Sequence, residues 1–266
     1  MKRREPDVEK VIFVCEDSLD GIFTGIYDAW DSRYGHENVK LIIESEETME
    51  LFARYVEVVA DGEKAEKVAR TLKRRLGDEV FEMICQAAAS CASEKADALY
   101  RVVVKGLSMS NGKKVMDALA DPNVCRVFEL SRQAGYEAHH LTGFIRFQEL
   151  KGGILFSRIR PKNNALTLIG PHFADRLPQE NWVIYDDGRE LFLMHQAGGY
   201  WGLMQGQALN EQWLADISEE EDQFRQLWRL FTKSISVQAR ENRLLQRQNL
   251  PLRFRNYMPE FTQEVR

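Results

Sequence analysis

The sequence predicts an α+β protein in which a helical region precedes a mostly antiparallel sheet and a long helix closes the chain. Three observations predict it. Apolar residues recur at helical spacing almost throughout 63–135. After Gly135, short strand-like segments are joined by Lys151-Gly152-Gly153 and by Asp186-Asp187-Gly188, both turn sequences suited to hairpins. A helical pattern then starts at Ser218, with Glu221 three residues on as a capping box, and stops at Pro251. No linker, low-complexity stretch or repeat interrupts the chain, so one compact unit over 1–266 is expected. Its four stretches are strand–helix–strand (1–60), helical (61–135), β-rich (136–210) and C-terminal helix with tail (211–266).

The elements follow in order. Val11 to Cys15 reads as a short buried strand, after which Asp17 or Ser18 caps a helix with the stripe Leu19, Ile22, Phe23, Ile26, Tyr27 and Trp30. Gly21 and Gly25 share one face of that helix although each costs it about 1 kcal/mol. Together with Asp17 they mark a close approach by another backbone or a ligand. Val39 to Ile43 is a second strand. Val68, Leu72 and Leu76 form a stripe closed by Gly77, and two further stripes run from Val80 to Cys91 and from Leu99 to Leu107. Pro122 suits the first turn of a helix that Gly135 would end. Gly143 to Leu150 pairs with Ile154 to Arg160, and Trp182 to Asp186 with Glu190 to His195. Tyr200 to Met204 adds a strand, and Pro171 can open a short helix between the hairpins.

Composition narrows the function classes. Apolar residues make up 44% and charged residues 29%, too apolar a balance for disorder. No apolar run approaches the roughly 20 residues that span a bilayer. The Met1-Lys2-Arg3-Arg4 start is followed by an apolar run too short for an export segment, so a cytoplasmic protein is expected. Cys15, Cys85, Cys91 and Cys125 are too scattered for a cluster-binding spacing, and Cys85 and Cys91, near helical apolar positions, are expected to be buried free thiols. The five histidines form no H-x-x-x-H or H-E-x-x-H pair, so neither a metal nor a cofactor is expected. No G-x-S-x-G, P-loop or G-x-G-x-x-G sequence occurs, which removes the easily recognised enzyme classes.

Charge is unevenly placed around a formal net of −5. Residues 44–63 hold seven acids against Arg54, whereas 225–255 hold eight bases against Glu241. On a regular helix Arg225, Arg229, Lys233, Arg240, Arg243 and Arg247 fall within an arc of about 80°. Phe224, Leu227, Trp228, Phe231 and Ile235 lie opposite, with Asn242 on that same apolar side. Such a ridge binds phosphate or an anionic partner; it equally serves as a solvated face. In the β-rich stretch, His139-His140 precede a strand whose period would put His140, Thr142, Phe144 and Arg146 on one face. His172, Asp175 and Arg176 are spaced to share a helical face, where they could do acid–base work, grip a phosphate or form a buried ion-pair network.

Several of these segments carry a resemblance. They are Asp17-Ser18-Leu19-Asp20-Gly21-Ile22-Phe23-Thr24-Gly25-Ile26-Tyr27, His140-Leu141-Thr142-Gly143-Phe144-Ile145-Arg146-Phe147, and His172-Phe173-Ala174-Asp175-Arg176-Leu177-Pro178. Trp182 to Asp186 followed by Arg189, Arg240-Glu241-Asn242-Arg243, and Leu250-Pro251-Leu252-Arg253 continue it. The chain resembles an uncharacterised bacterial family described as putative DNA metabolism or DNA repair proteins. The resemblance implies pairing with a radical-SAM protein that carries a helix-hairpin-helix, and some relatives are fused to a uracil-DNA-glycosylase-like domain. One departure is the acidic Asp186-Asp187-Gly188, where the family pattern leads us to expect a more basic turn.

The expected function is therefore an accessory protein of DNA metabolism or repair that binds DNA, a radical-SAM partner, or both. Arg146, Arg176 and Arg253 join the C-terminal ridge as candidate contacts. Two alternatives stand beside it. One is an enzyme acting on a nucleotide or damaged base through His140, His172 or Asp175; the other is a protein-interaction scaffold.

Overall fold

A computed structural model describes residues 10–44, 50–206, 221, 223–224, 227–228 and 243–261. The chain divides into two compact units, 1–135 and 136–266, at the point where the sequence changes texture.

The first unit is built on a strand that is apolar almost end to end. β1 (Lys10–Cys15) lies between β2 (Val39–Ile43) and β3 (Ala53–Val58), and both pairings are parallel. A parallel sheet needs crossovers and cover on both faces, which explains why β1 does not alternate. The first crossover is α1 (Leu19–Asp31), capped by Ser18 rather than Asp17: the Ser18 hydroxyl accepts from the Gly21 N–H at 2.9 Å. Buried Thr24 accepts from the Asp61 N–H at 3.0 Å, and Asp61 in turn caps α2 (Gly62–Leu76). Gly77, at φ +84°, ends α2, and its N–H returns to the Lys73 carbonyl.

Gly21 and Gly25 mark where α1 meets the end of β1. A Cβ on Gly25 would stand 2.2 Å from Cys15 Sγ; one on Gly21 would stand 2.6 Å from the Glu16 carbonyl oxygen. Burial, with Asp28 nearby, pushes the Cys15 thiol up to about 12, so it stays protonated and behaves as core. α3 (Asp78–Ala88) and α4 (Lys95–Ser108) complete the core of this unit. Arg101 on α4 donates to the His36 and Val39 carbonyls, and Asp97 accepts from the Leu41 N–H at 3.2 Å.

α5 (Pro122–Phe144) overrides the expected stop at Gly135. A helical glycine costs only about 1 kcal/mol, and the bare Cα of Gly135 lets Gln86 Oε1 lie 3.3 Å from where a Cβ would be. His139 and His140 are consequently helical, so the proposed strand face of His140, Thr142, Phe144 and Arg146 does not form. At the other end Asp121 caps the helix, accepting from the Asn123 and Val124 N–H groups at 2.9 and 3.3 Å.

In the second unit the sheet order follows the chain: β4 (Gln148–Leu150), β5 (Ile154–Ile159), β6 (Asn181–Asp186), β7 (Leu191–His195) and β8 (Trp201–Gln205). Both hairpins form, with Gly152 and Gly153 at positive φ in the first turn. The β5–β6 pair is parallel, because α6 (Leu166–Arg176) carries the chain back between them. With an all-parallel first sheet and a mixed second one, the fold is α+β but not mostly antiparallel. α6 also starts five residues before Pro171, which lies inside it instead of opening it. Burial of Leu166, Ile169 and Phe173 against Trp182, Ile184 and Leu193 offsets the backbone bond that proline removes.

Of the C-terminal segment, α7 (Arg243–Asn249) and α8 (Leu252–Arg255) are described, and α7 ends just before Leu250-Pro251. The long helix expected from Ser218 falls mostly outside the described residues, and no long C-terminal helix is seen among those described. No described helix is long and apolar enough to cross a membrane.

Three stability outcomes follow from these surroundings. Gly25→Ala should cost about 1–3 kcal/mol through overpacking against Cys15. Gly62→Ala, with nothing within 4 Å of the new Cβ, should be neutral or stabilising by up to about 1 kcal/mol in urea unfolding. The Asp121 carboxyl is held below its usual range, first by the hydrogen bond from Lys105 at 2.7 Å and then by the two N–H groups it caps. A depressed folded pKa gives stability that is fully present above the unfolded value and lost as pH falls through the folded one. Asp121→Asn keeps a capping oxygen, so it should cost roughly 1 kcal/mol at neutral pH. That cost should begin to shrink as pH falls below about 4 and vanish only below the depressed folded value, in unfolding curves taken across the acid range.

Candidate arginine-lined site

The candidate side chains scatter. His172, Asp175 and Arg176 share α6 but are exposed, and the His172 ring rests edge-on against Phe173 at 5.0 Å. Their exposure is incompatible with a buried ion-pair network. His140 packs its ring 5.7 Å from Phe144 and 6.4 Å from Phe254. Asp17 accepts from Lys95, a buried lysine at the start of α4 that also donates to the Ser90 carbonyl. Arg225, Arg229, Lys233, Arg240 and Asn242 lie outside the described residues. Arg243 is described only as part of α7, and Arg247 is exposed on it.

Two candidates do meet. Arg146 and Arg253 line one cavity in the second unit, together with Arg158, Arg160, Phe144, Phe254 and Tyr257. The backbone explains the convergence. Arg158 lies in β5 and Arg160 just past its end, two positions on, so they share a face if the chain stays extended. Arg253 and Tyr257 come from α8 and the turn after it, and Arg146 from the irregular segment between α5 and β4.

Each guanidinium has a carboxylate. Arg146 bonds Glu260 at 3.2–3.3 Å and also donates to the Gly143 carbonyl at 2.8 Å. Arg158 grips Asp187 through both Nε and Nη2. Arg253 reaches Glu137 at 3.1 Å. Arg160 stands 3.9 Å from Asp187, beyond hydrogen-bond range. Among the described residues three carboxylates lie beside these four guanidiniums, and the two most open cations, Arg160 and Arg253, have side chains 68% and 48% exposed. Arg160 can change partners at little cost, whereas Arg253 is tied to buried Glu137 and Arg146 and Arg158 are more enclosed.

The acidic turn divides its labour. Asp186 is fully buried: burial raises its pKa while Arg189, at 3.1 Å, opposes the rise. Its Oδ1 accepts from the Gly188 N–H at 2.9 Å, so it shapes the turn. For Asp187 burial also works upward, but hydrogen bonds from Arg158 and Tyr257 hold its carboxyl below the usual range. Burial and the bond to Asp187 raise the Tyr257 phenol, which donates at 3.0 Å.

Sequence reasoning had missed Arg158, Arg160, Asp187, Tyr257 and Glu137. The only local signal was the alternation of Arg158 and Arg160 at a strand end. Their acidic partners come from residues 25 or more positions away.

Against known proteins, no curated protein matches the chain. A solved structure titled as a member of the s1p family of ribosomal proteins, DHH domain, is 13% identical. It covers 72% of this chain and 74% of its own at a TM-score of 0.33, a likeness that carries no argument. A family model described as a domain of unknown function, DUF4130, matches residues 93–260, which hold every residue that lines the arginine cavity. The chain belongs to the DUF4130 family.

Proposed function

We propose that the protein is an accessory factor of DNA metabolism that holds nucleic acid through the arginine-lined cavity, alone or together with a radical-SAM partner. The observation that carries this reading is the convergence of Arg146, Arg158, Arg160 and Arg253 on one cavity, with the Arg160 guanidinium exposed and 3.9 Å from its nearest described carboxylate. Planar guanidiniums suit phosphate oxygens because they donate in parallel pairs. The half-buried rings of Phe144 and Tyr257 beside them supply flat surface, the other half of what a single strand requires. The resemblance to DNA metabolism and repair proteins supplies the context and the radical-SAM companion.

The enzyme alternative would need His140, His172 or Asp175 in a pocket. His140 is packed among phenylalanines, and His172 and Asp175 are exposed on α6 and absent from the cavity wall. The geometry favours binding over catalysis by these groups.

Arg160→Gln should weaken oligonucleotide binding and reduce the slope of log affinity against log salt by about 0.7–0.9, with no change in sequence preference. Arg160→Lys should restore most of the slope, since the charge returns. Fluorescence-anisotropy titrations at several salt concentrations measure both. An unchanged affinity and slope in Arg160→Gln would remove the cavity from the interface.

A further inference from the structure

We propose that Asp187 is an internal stand-in for phosphate: its carboxylate occupies the anion position among Arg158, Arg160 and Tyr257, and a nucleic-acid phosphate binds there by displacing it. This rests on the reading that the cavity contacts phosphate, and it adds how the site is kept closed. Three of the partners of Asp187 line the cavity. Arg158 donates to Oδ1 through Nε at 2.9 Å and through Nη2, and the Tyr257 hydroxyl donates to Oδ2 at 3.0 Å. The Arg160 guanidinium waits 3.9 Å from the same Oδ2, short of a hydrogen bond and open to solvent. Two guanidiniums and a phenol around one carboxylate form a donor set equally suited to the oxygens of a phosphodiester.

The turn that carries Asp187 is built so that this side chain can leave without the turn unravelling. Its backbone N–H donates to the Ile159 carbonyl at 2.9 Å, and the neighbouring Asp186 is locked to Gly188 and Arg189. Arg189 also donates to the Pro161 and Lys162 carbonyls at 3.3 and 2.6 Å, which holds the turn from its far side. None of these contacts uses the Asp187 carboxylate. When it leaves, the Arg158 Nε and Nη2 groups and the Tyr257 hydroxyl that held it turn to the ligand beside Arg160; while it stays, those donors are occupied. The acidic residue in this turn thus lowers phosphate affinity without abolishing the site.

The test uses the full chain and a fluorescent single-stranded oligonucleotide, titrated at several salt concentrations. Asp187→Asn keeps the shape and one oxygen to accept from Arg158, with its amide N–H turned to the Tyr257 hydroxyl as donor, but removes the competing charge. It should bind about ten-fold more tightly at low salt, with a slope steeper by about 0.7–0.9. Adding Arg160→Gln to it should cancel most of the gain. If Asp187→Asn does not fold, Asp187→Ser is measured in the same way. The parent protein gives a reading that needs no variant: the Gly188 amide and Tyr257 ring NMR signals should shift on titration. Parent-like binding by a folded Asp187 variant, while Arg160→Gln still weakens the parent, overturns the competition and leaves the cavity as the phosphate contact. No effect of Arg160→Gln in either background, with Gly188 and Tyr257 unmoved, overturns both.

Discussion

The second unit is organised around one buried carboxylate, Glu137, only 3% exposed near the end of α5. A buried charge is tolerated only when its acceptor positions are filled, and here they are filled from distant parts of the chain. The Lys162 N–H, the Asn163 N–H and the Asn163 side-chain amide donate at 3.0, 2.7 and 2.7 Å, and Arg253 closes the set. The loop that these bonds hold is the one leading from β5 into α6, so Glu137 sets where the crossover begins and thereby supports the parallel β5–β6 pair. By holding Arg253 it also brings α8 to the cavity. Desolvation is the constraint, and the loop, the crossover and the arginine wall are its consequences.

The first unit meets a similar demand with different means. Its all-parallel sheet buries β1 on both faces, and α1 comes so close that Gly25 faces a thiol instead of a side chain of its own. The polar groups that this packing encloses are each given a partner: Thr24 with Asp61, Lys95 with Asp17, Arg101 with two carbonyls of the β2 approach. These contacts are structural in kind, since every one joins two elements of the same unit.

The proposed site differs because its pairing is uneven. Arg146, Arg158 and Arg253 each have a carboxylate within bonding distance, whereas Arg160 faces an acceptor already claimed by Arg158 and Tyr257. An ion-pair network that served stability alone would gain little from a fourth, exposed arginine. An exposed guanidinium beside an acceptor already taken is the physical basis of the proposal, and the DUF4130 match spans the whole lining of the cavity.

Local chemistry alone determined much of the fold. The apolar run of β1, the stripe of α1, the stop at Gly77 and the glycine-bearing hairpin turns are written within a few residues each, and all form. Gly21 and Gly25 were legible for the same reason, since a costly residue on an otherwise regular helix face needs a spatial cause. Three features were decided by the tertiary structure. Gly135 did not end α5 and Pro171 did not open α6, because packing outweighs a local preference of one to a few kcal/mol. The parallel β5–β6 pair depends on how α6 returns the chain, which no short-range pattern encodes. The arginine site depends on pairings such as Arg158 with Asp187, Arg253 with Glu137 and Arg146 with Glu260, separated by 29 to 116 positions in sequence. A charge pair of that separation leaves no periodic trace, because only the folded chain decides which carboxylate each guanidinium meets.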